Sequence, residues 1–506
     1  MIRVALIVAL GGFVWGFDAT VISGAVPFIQ KYFQLTGERG DFLLGLAVSC
    51  LGWGVLGGTA VAGYFSDRFG RRSVLMVTAL LFTASSLASA LTTSFEVFVA
   101  ARVVGGIAVG GAILIAPVYI AEIAPPKYRG SLVSLNQLMI VSGISASFFS
   151  NYYLVDVGEN NWRWMLAMDA IPATLYFVLL FAVPESPRWL FGRGQVDQAK
   201  GILTLAGGAE QAGEELRNIA RSFGEKAPRV RLVGLVGPRM RFIMFVALAI
   251  AFFQQITGIN AVFYYLPTIF AQTGGGIDAA FKQAVLVGLV NLGMTFVAIR
   301  YVDRLGRKPL LLIGATGMAI SLLTCSWAFH DSSFQLSDKS LVVLRDNKIP
   351  EEVITRLQTA ERTAFPDQGE FLASLESSLG AETVAKHKDA LVTAGLNIRA
   401  WLVLGAILGF VASFAISLGP VMWVLLSEIF PNQYRGVAMS VVGFWNSAIS
   451  ASVTFIFPWE LSHFGTAGTF LGYGVLAALA VVFVVLFVPE TKGKSLEELE
   501  GLLMRH

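Results

Sequence analysis

Two nine-residue stretches of this chain are nearly the same: residues 122–130 read E-I-A-P-P-K-Y-R-G, and residues 428–436 read E-I-F-P-N-Q-Y-R-G. Two further motif pairs recur in the same order in each half, namely D-R-F-G-R-R (67–72) with D-R-L-G-R-K (303–308), and P-E-S-P-R (184–188) with P-E-T-K-G (489–493). Long apolar runs separate these motifs. The sequence therefore predicts a duplicated membrane protein with two similar halves, an architecture that is typical of carriers.

The composition also favours a membrane protein. Of 506 residues, 55% are hydrophobic and 14% are charged, whereas about a quarter of the residues in a soluble domain are charged. Twelve apolar segments can be marked, each close to the roughly 20 residues that cross a bilayer. The predicted fold is all-α, with twelve transmembrane helices in two pseudo-symmetric six-helix halves.

The motif spacing predicts the domain organisation. Asp67 and Glu122 are 55 positions apart, whereas Asp303 and Glu428 are 125 apart, so the second half holds 70 additional residues between its motifs. We place them in a polar insertion on the outer side, with two or three short amphipathic helices. The predicted units are a first half at 1–188, a cytoplasmic linker with short helices at 189–240, a second half at 241–490 with the insertion at 330–398, and a cytoplasmic tail at 491–506.

Charges in the short loops predict the orientation. Lysine and arginine cluster in the loops that carry the motifs, whereas the opposite loops near 92–96 and 459–466 hold neither residue. By the positive-inside rule, the motifs and both termini lie on the cytoplasmic side of a plasma membrane, which in a bacterium is the inner membrane. The protein is expected to contact lipid and to work as a monomer.

Several classes of function are excluded. No HExxH, Cys-His, Ser-His or P-loop pattern occurs, so the sequence predicts neither an enzyme nor direct use of ATP. Cys50 and Cys325 each lie in an apolar segment, where they resemble small buried hydrophobic residues rather than metal ligands. The net charge of +3 is too small and too dispersed for nucleic-acid binding. No cofactor and no metal are expected.

Acidic and basic residues recur together at the duplicated positions. Asp67 or Asp303 can accept hydrogen bonds near a helix end, and Arg72 and Arg307 can reach acidic partners in neighbouring loops. We expect a charge network that closes the cytoplasmic side in one state, although the arginines can also serve only to fix the topology. The predicted members are Asp67, Arg68, Arg72, Glu122, Arg129, Glu185, Asp303, Arg307, Glu428, Arg435 and Glu490.

Together these motifs resemble those of the sugar porters of the major facilitator superfamily. Other matching stretches are G-F-D-A-T-V-I-S-G-A (16–25), P-E-S-P-R-W-L (184–190), Q-Q-I-T-G-I-N-A-V-F-Y-Y (254–265) and G-P-V-M-W-V-L-L-S-E-I-F-P (419–431). The resemblance covers nearly all of the chain outside 330–398. It implies twelve helices, alternating access and a monosaccharide site near the middle of the membrane.

The predicted seventh helix carries a cluster of amides. Gln254, Gln255 and Asn260 lie close together around Gly258, and buried amides in lipid require partners or a cavity. A sugar offers many hydroxyl groups and little charge, so uncharged donors and acceptors suit it. We favour ligand contact for this cluster, with helix–helix packing as the alternative.

The resemblance extends the predicted sugar site. Trp423 follows Gly419 and Pro420, where the helix is expected to kink, and Trp423 can stack on a sugar ring. Trp15 adds aromatic surface, and Tyr264 and Tyr265 resemble the outer gate residues of the family. The predicted sugar-binding residues are Gln137, Gln254, Gln255, Asn260, Asn291, Trp423, Asn446, Trp15 and Gly419.

Asp18 and Arg102 are ionisable residues inside apolar segments, which marks them as functional candidates. Asp18 lies about 22 Å beyond Arg3 in a core about 30 Å thick, and Arg102 lies about 9 Å from the outer end of its helix. The two side chains are therefore at similar depths and can pair. A structural ion pair is the alternative to a role in proton transfer. The proton symporters of the resembling family have Asp at the position of Asp18, whereas its passive carriers commonly have Asn.

These observations predict a transporter that imports a monosaccharide, pentose or hexose, by proton symport through alternating access. Two alternatives stay open. One is a facilitative sugar uniporter, and the other is a transporter-like sugar sensor in which the insertion serves signalling.

Overall fold

Helices dominate the structure. It is a computed structural model that describes residues 2–124, 129–224, 234–235, 237, 240–346, 349–358, 363–366 and 368–492. The first half contains α1 (Ile2–Tyr32), α2 (Gly37–Phe69), α3 (Arg71–Leu91), α4 (Phe95–Ile123), α5 (Arg129–Leu154), α6 (Asn161–Met168) and α7 (Ala170–Leu180). Two helices follow in the linker, α8 (Pro187–Gly192) and α9 (Val196–Gly224). The predicted boundary after residue 188 thus falls inside α8.

The second half is interrupted by the insertion. Its helices are α10 (Arg241–Ile256), α11 (Ile259–Tyr264), α12 (Leu266–Ala271), α13 (Gly276–Leu305), α14 (Arg307–His330), α19 (Ala400–Ile416), α20 (Leu418–Ile429) and α21 (Asn432–Phe487). The insertion contains β1 (Ser333–Phe334), α15 (Asp338–Asp346), α16 (Glu351–Gln358), α17 (Gln368–Leu379), α18 (Ala381–Gly395) and β2 (Leu396–Asn397).

Twelve helical spans lie in the described part of the chain, which confirms the predicted fold class. By length and hydropathy, ten candidate membrane spans occur in the described part of the chain. The 26-residue α5 adds one more helix. The 56-residue α21 supplies two spans, because its backbone breaks at Gly465 with φ 68° and ψ 169°. The sixth, seventh and tenth spans are also broken, into α6–α7, α10–α12 and α19–α20 respectively.

The duplicated turns have the same backbone geometry. Gly70, between α2 and α3, has φ 95° and ψ 159°, and Gly306, between α13 and α14, has φ 95° and ψ 165°. A positive φ of this kind favours glycine, because other residues would place Cβ in a strained position. At both turns a Cβ atom would also collide with a carboxylate, that of Glu185 or of Glu490. The two halves therefore fold alike at their motifs.

The apolar core of the two halves consists of two separate clusters of buried residues. We call the side that carries the repeated motifs the motif face, and the other side the far face. One continuous core joins the second half to the far-face ends of the first-half helices, including Val21, Leu44 and Phe98. The motif-face part of the first half has a separate core, which includes Val8, Tyr119 and Leu180. The two halves therefore share a core at the far face.

The insertion is a folded cap with its own core. Its buried side chains include Leu344, Ile354, Phe371 and Leu391. The short strands β1 and β2 pair in antiparallel fashion at its base, with Phe334 opposite Leu396. Four helices occur where two or three were expected, because the residues before Pro350 also form a helix, α15, that packs into this core.

Candidate functional site

The broken seventh span positions the predicted amides. α10 ends at Ile256, and Gly258 adopts a left-handed conformation with φ 84° and ψ 15° before α11 begins. Gln254 and Gln255 therefore lie on one side of the break, and Asn260 on the other. A broken helix inside a membrane fold exposes polar backbone groups, which are tolerated where protein or a water-filled cavity surrounds them.

Hydrogen bonds join these amides into one cluster with Asn446 of α21. Gln255 Nε2 donates to Gln254 Oε1 at 3.2 Å and to Asn446 Oδ1 at 3.1 Å. Asn446 Nδ2 donates to Gln254 Oε1 at 2.7 Å. Asn260 Nδ2 donates to Gln255 Oε1 at 2.8 Å and to Ser450 Oγ at 2.6 Å. The structure thus brings together four of the predicted sugar-binding residues.

The broken tenth span meets the same cluster. Gln254 Nε2 donates to the carbonyl oxygen of Leu418 at 2.7 Å and to that of Gly419 at 3.4 Å. Both carbonyls lie at the start of α20, just after the break at Ser417. Trp423 lies about one turn further along α20, with 37% of its surface exposed. An exposed indole beside a set of amides provides a surface on which a sugar ring can stack.

Three predicted sugar contacts lie on helices outside this network. Gln137 on α5 is half-buried, Asn291 on α13 is 5% exposed, and Trp15 on α1 is half-buried. α5 and α13 pack directly on each other, since Ser145 Oγ donates to the carbonyl oxygen of Gly288 at 2.8 Å. Within the described part of the chain, the hydrogen bonds of the amide cluster do not extend to these three residues.

Asp18 and Arg102 form a buried ion pair between α1 and α4. Arg102 Nη1 donates to Asp18 Oδ1, and Arg102 Nη2 donates to the Asp18 carbonyl oxygen at 3.2 Å. The side chains are 2% and 3% exposed for Arg102 and Asp18 respectively. Asp18 Oδ2 and Arg102 Nε have no hydrogen-bond partner among the described residues. The pairing compensates two charges that would otherwise be costly at this depth.

Asp169 is a third ionisable group at this pair. It lies between α6 and α7, is fully buried, and interacts electrostatically with both Asp18 and Arg102. Its Oδ2 accepts a hydrogen bond from Ser86 Oγ at 2.6 Å. Asp169 was not among the predicted residues, although it carries the same signal as Asp18, a charged residue within an apolar segment.

The two predicted gate tyrosines face different surroundings. Tyr264 is half-buried at the end of α11 and lies within electrostatic reach of Asp18 and Arg102. Tyr265 is 1% exposed and packs against Phe457, with ring centroids 5.0 Å apart. Tyr264 therefore lies on the side of the amide-bearing span that is near the ion pair, whereas Tyr265 belongs to the apolar packing around Phe457.

The charged motifs form one network in each half. In the first half, Arg71 forms ion pairs with Asp67 at 3.2 Å and with Glu122 at 3.0 Å. Glu185 Oε1 accepts the backbone N–H of Arg71 at 2.9 Å and that of Arg72 at 3.1 Å. The expectation that the Arg72 side chain reaches an acidic partner is wrong. Its guanidinium instead donates to backbone carbonyls at the end of α7, because the turn directs Arg71 towards Glu122.

The second half repeats this arrangement. Arg307, the counterpart of Arg71, pairs with Glu428 at 2.7 Å. Glu490 accepts the backbone N–H groups of Arg307 and Lys308, each at 3.1 Å. Partial burial alone would raise the pKa of Glu490, but hydrogen bonds from the backbone of Lys492, Arg307, Lys308 and Thr491 outweigh burial and hold it below its ordinary value.

The remaining predicted network residues have other surroundings. Arg68 is exposed and donates to the hydroxyl of Tyr64 at 3.1 Å. Arg435 donates to the carbonyl oxygen of Phe430 at 3.2 Å. The predicted roles of Arg129 and Asp303 depend on side chains that lie outside the described residues, as does the predicted tail from residue 493 onwards.

Contacts between the halves concentrate at the far face. The ring of Phe42, near the far-face end of α2, lies 6.1 Å from that of Phe455 on α21. A Cβ atom on Gly45 would collide with the Phe455 carbonyl, so the two backbones meet there. The ion pairs of Arg71 and Arg307 at the motif face each lie within one half. The halves are thus closed together at the far face.

Comparison with known proteins gives consistent results. The family model described as "Sugar (and other) transporter" matches residues 4–341 and 388–503, so the unmatched stretch lies in the cap. The arabinose-proton symporter of Bacillus subtilis is 34% identical over 515 residues, which span 100% of this chain and 95% of that protein.

Solved structures of the xylose transporter XylE from E. coli are similar throughout. Its inward open conformation superposes with a TM-score of 0.76 at 33% identity, covering 98% of both chains. The same proton:xylose symporter bound to 6-bromo-6-deoxy-D-glucose gives a TM-score of 0.71 at 34% identity, covering 99% of this chain and 98% of that one. Of these two structures, the inward open conformation therefore gives the higher TM-score.

Proposed function

The chain belongs to the sugar (and other) transporter family, and from that premise we propose that it imports a monosaccharide together with a proton. Sugar transport itself follows from the family and from its relatives. The coupling to protons and the class of sugar are the parts proposed here. The buried ion pair of Asp18 and Arg102 is the observation that carries the proposal.

The charge balance at this pair favours a proton site. Asp18 and Asp169 supply two carboxyl groups against the single positive charge of Arg102, and all three are buried. One proton on either carboxyl leaves the group neutral, whereas both ionised carboxylates leave an uncompensated charge in the membrane. A proton bound at Asp18 would also weaken its attraction to Arg102, which would free α1 to move relative to α4.

The sugar site is proposed at the amide cluster. Gln254, Gln255, Asn260 and Asn446 present neutral donors and acceptors, and Trp423 presents an aromatic face. Gln137 and Asn291 would join them from α5 and α13 when a sugar is bound. The amides satisfy one another, so sugar hydroxyls would replace existing hydrogen bonds without leaving buried groups unpaired.

Tyr264 offers a route for coupling. It lies on the same broken span as the amides and within electrostatic reach of the ion pair. A proton at Asp18 and a sugar at the amides would therefore act on one element. The relatives that are proton symporters of arabinose and xylose make pentoses, together with glucose, the first sugars to test.

The orientation follows from the predicted topology. If the motif face is cytoplasmic, as we propose, the closure at the far face lies on the outside, and this arrangement would be the state that releases sugar inwards. The networks of Arg71 and Arg307 would then exchange some contacts within a half for contacts between halves when the cytoplasmic side closes. We propose these roles of the charged motifs together with proton coupling.

Transport into proteoliposomes tests the proposal. Xylose, arabinose and glucose should be tried with and without an inward proton gradient, and one of them should accumulate only with the gradient. Asp18→Asn should abolish accumulation while sparing sugar exchange at equal concentrations on both sides. Asp156→Asn, the same change in an exposed loop, should accumulate sugar normally.

Other outcomes would identify the alternatives. Accumulation by Asp18→Asn would refute proton coupling through this residue. Equilibration without accumulation by the unaltered protein would identify a facilitative uniporter. Sugar binding without flux would identify a sensor.

A further inference from the structure

We propose that a hydrogen bond between Glu460 and Tyr473 braces the broken seventh span. The brace would position the proposed sugar-binding amides and would stabilise the closed arrangement of the halves at the far face. Both residues belong to α21, on opposite sides of its break at Gly465. Neither belongs to the duplicated motifs, the amide cluster or the ion pair. The inference rests on the carrier function proposed above, with its sugar site at the amides of the seventh span.

The hydrogen bond fixes one aromatic side chain. Tyr473 Oη donates to Glu460 Oε2 at 2.6 Å, and Tyr473 is 4% exposed. Glu460 is half-buried within a long apolar helix, where a carboxylate is costly unless it has a partner or a function. A charged acceptor gives a stronger and more directional hydrogen bond than a neutral one, so it holds the tyrosine ring in one orientation.

The fixed ring packs against the first break of the seventh span. A Cβ atom placed on Gly258 would lie 2.5 to 3.1 Å from three atoms of the Tyr473 ring. Gly258 therefore meets Tyr473 at closest approach, at the position where φ is 84°. Since Gln255 and Asn260 lie on the two sides of this break, the ring position sets the angle between them.

The second break rests on the same surface. Phe457 stacks on Tyr473 with ring centroids 6.2 Å apart and an interplanar angle of 12°. On its other side, Phe457 contacts Tyr265, which separates α11 from α12. Further out, Thr466 Oγ1 donates to Gln272 Oε1 at 2.6 Å, just beyond the end of α12. One continuous surface of α21 thus supports the seventh span from Gly258 to Gln272.

This geometry makes Glu460 a positioning residue. It does not contact the amides, but it orients the ring that supports the break between them. Loss of the hydrogen bond would let the Tyr473 ring turn away from Gly258, and the outer part of the seventh span would lose its support in the closed position. The ordinary alternative is that the pair only holds the last two spans together.

Thiol labelling in membranes separates these roles. Phe455→Cys reports closure at the far face, where α2 covers Phe455, and Ser440→Cys reports exposure at the motif-face end of α21. The native Cys50 and Cys325 are buried and provide a low background. Tyr473→Phe and Glu460→Leu should each raise labelling at the first reporter and lower it at the second, by about fivefold to tenfold for the loss of one hydrogen bond.

Matched variants provide the controls. Glu460→Gln keeps an acceptor oxygen and should label nearly as the unaltered protein does, because the hydrogen bond can still form. Tyr119→Phe removes a buried hydroxyl that also donates over 2.6 Å, but to Pro184 in the first half, and should not change either reporter.

Each possible labelling result either supports or contradicts the proposed role of the hydrogen bond. Labelling of Tyr473→Phe and Glu460→Leu at the unaltered rates would overturn the brace, and so would a rise at both reporters, which indicates a loosened fold. The assay needs neither sugar nor a proton gradient. If the unaltered protein transported no sugar, the proposed function would fail while this measurement stayed valid.

Discussion

The two halves share their turns but differ in what they bury. The first half buries an ionic group, Asp18 with Arg102 and Asp169, whereas the second half buries the neutral amides around Gln254 and Asn446. The ionic group lies mainly on α1 and α4, and the amide cluster lies on the broken seventh span and α21. Neither group includes a residue of the repeated motifs. The duplicated parts therefore provide a common frame, and each half has added a different chemistry to it.

The energetics of the two groups differ accordingly. A buried ion pair depends on both partners, because removal of one leaves an uncompensated charge in a medium of low dielectric constant. A cluster of amides can lose one member and rearrange, since each amide both donates and accepts. We therefore expect the loss of one residue to destabilise the ionic group strongly, whereas the amide cluster can form new hydrogen bonds among its remaining members.

The largest expected effect tests the dependence on both charged partners. Arg102→Met should lower the free energy of unfolding by about 3–5 kcal/mol, because Asp18 then loses its compensating charge. The midpoint of thermal unfolding in detergent measures this. The double variant Asp18→Asn with Arg102→Met should recover much of the loss. If Arg102→Met is as stable as the unaltered protein, the buried ion pair does not depend on both partners, and the expected energetic difference between the halves is refuted.

A smaller effect is expected in the amide cluster. Gln254→Ala removes a donor to Leu418 and an acceptor for Asn446, which should cost about 1–3 kcal/mol of stability. Its effect on transport should be larger, with a rise in the half-saturation concentration for sugar of about tenfold or more. Uptake kinetics under exchange conditions measure this change. An unaltered half-saturation concentration would mean that the amides only pack.

A modest pH effect is expected at the second-half turn. The pKa of Glu490 is lowered, so its contribution to stability is complete above the ordinary carboxyl pKa and is lost as the pH falls through the lowered value. Glu490→Gln should therefore be less stable than the unaltered protein near neutral pH, and the difference should shrink below about pH 4.5. Thermal unfolding across this pH range measures it. A constant difference would show that the carboxylate charge is irrelevant.

The smallest effect is expected for the cap. Phe334 pairs with Leu396 and Ser333 with Asn397, so an Asn-Gly turn in place of 335–395 would close β1 and β2 as a two-residue hairpin. Sugar uptake should stay within about twofold of the unaltered rate, because loop length has a weak effect on stability. Uptake by this shortened chain in proteoliposomes measures it. A loss of transport would make the cap part of the mechanism and add a third region to the comparison.

The sequence predicted the number of helical spans and their division into two halves far better than the contacts between individual side chains. Hydropathy and repeated motifs determine helix number, and the twelve helices follow from them. Which arginine of Arg71 and Arg72 meets Glu122 depends on the local turn, which a motif does not encode. Asp169 has the same sequence signal as Asp18, a charged residue within an apolar segment, but its position beside the ion pair follows only from the packing of α6 and α7.

Other features could not be predicted in principle from such patterns. Glu460 and Tyr473 meet only because α21 folds back at Gly465, and neither residue has a distinctive spacing. On the proposed function, the closure of the halves at the far face is one of two states that the same sequence would support. A single pattern of residues therefore cannot select it.

The cap has one further consequence. It connects α14 to α19, which belong to the same half, and its chain enters and leaves through the single pairing of β1 with β2. Its ends therefore need not separate if the halves rock as proposed. The cap is a natural place for a fluorophore or an antibody epitope, because a label there would follow the orientation of the second half without bridging the moving boundary. Fluorescence from such a label would report each turnover as a change in the orientation of the second half.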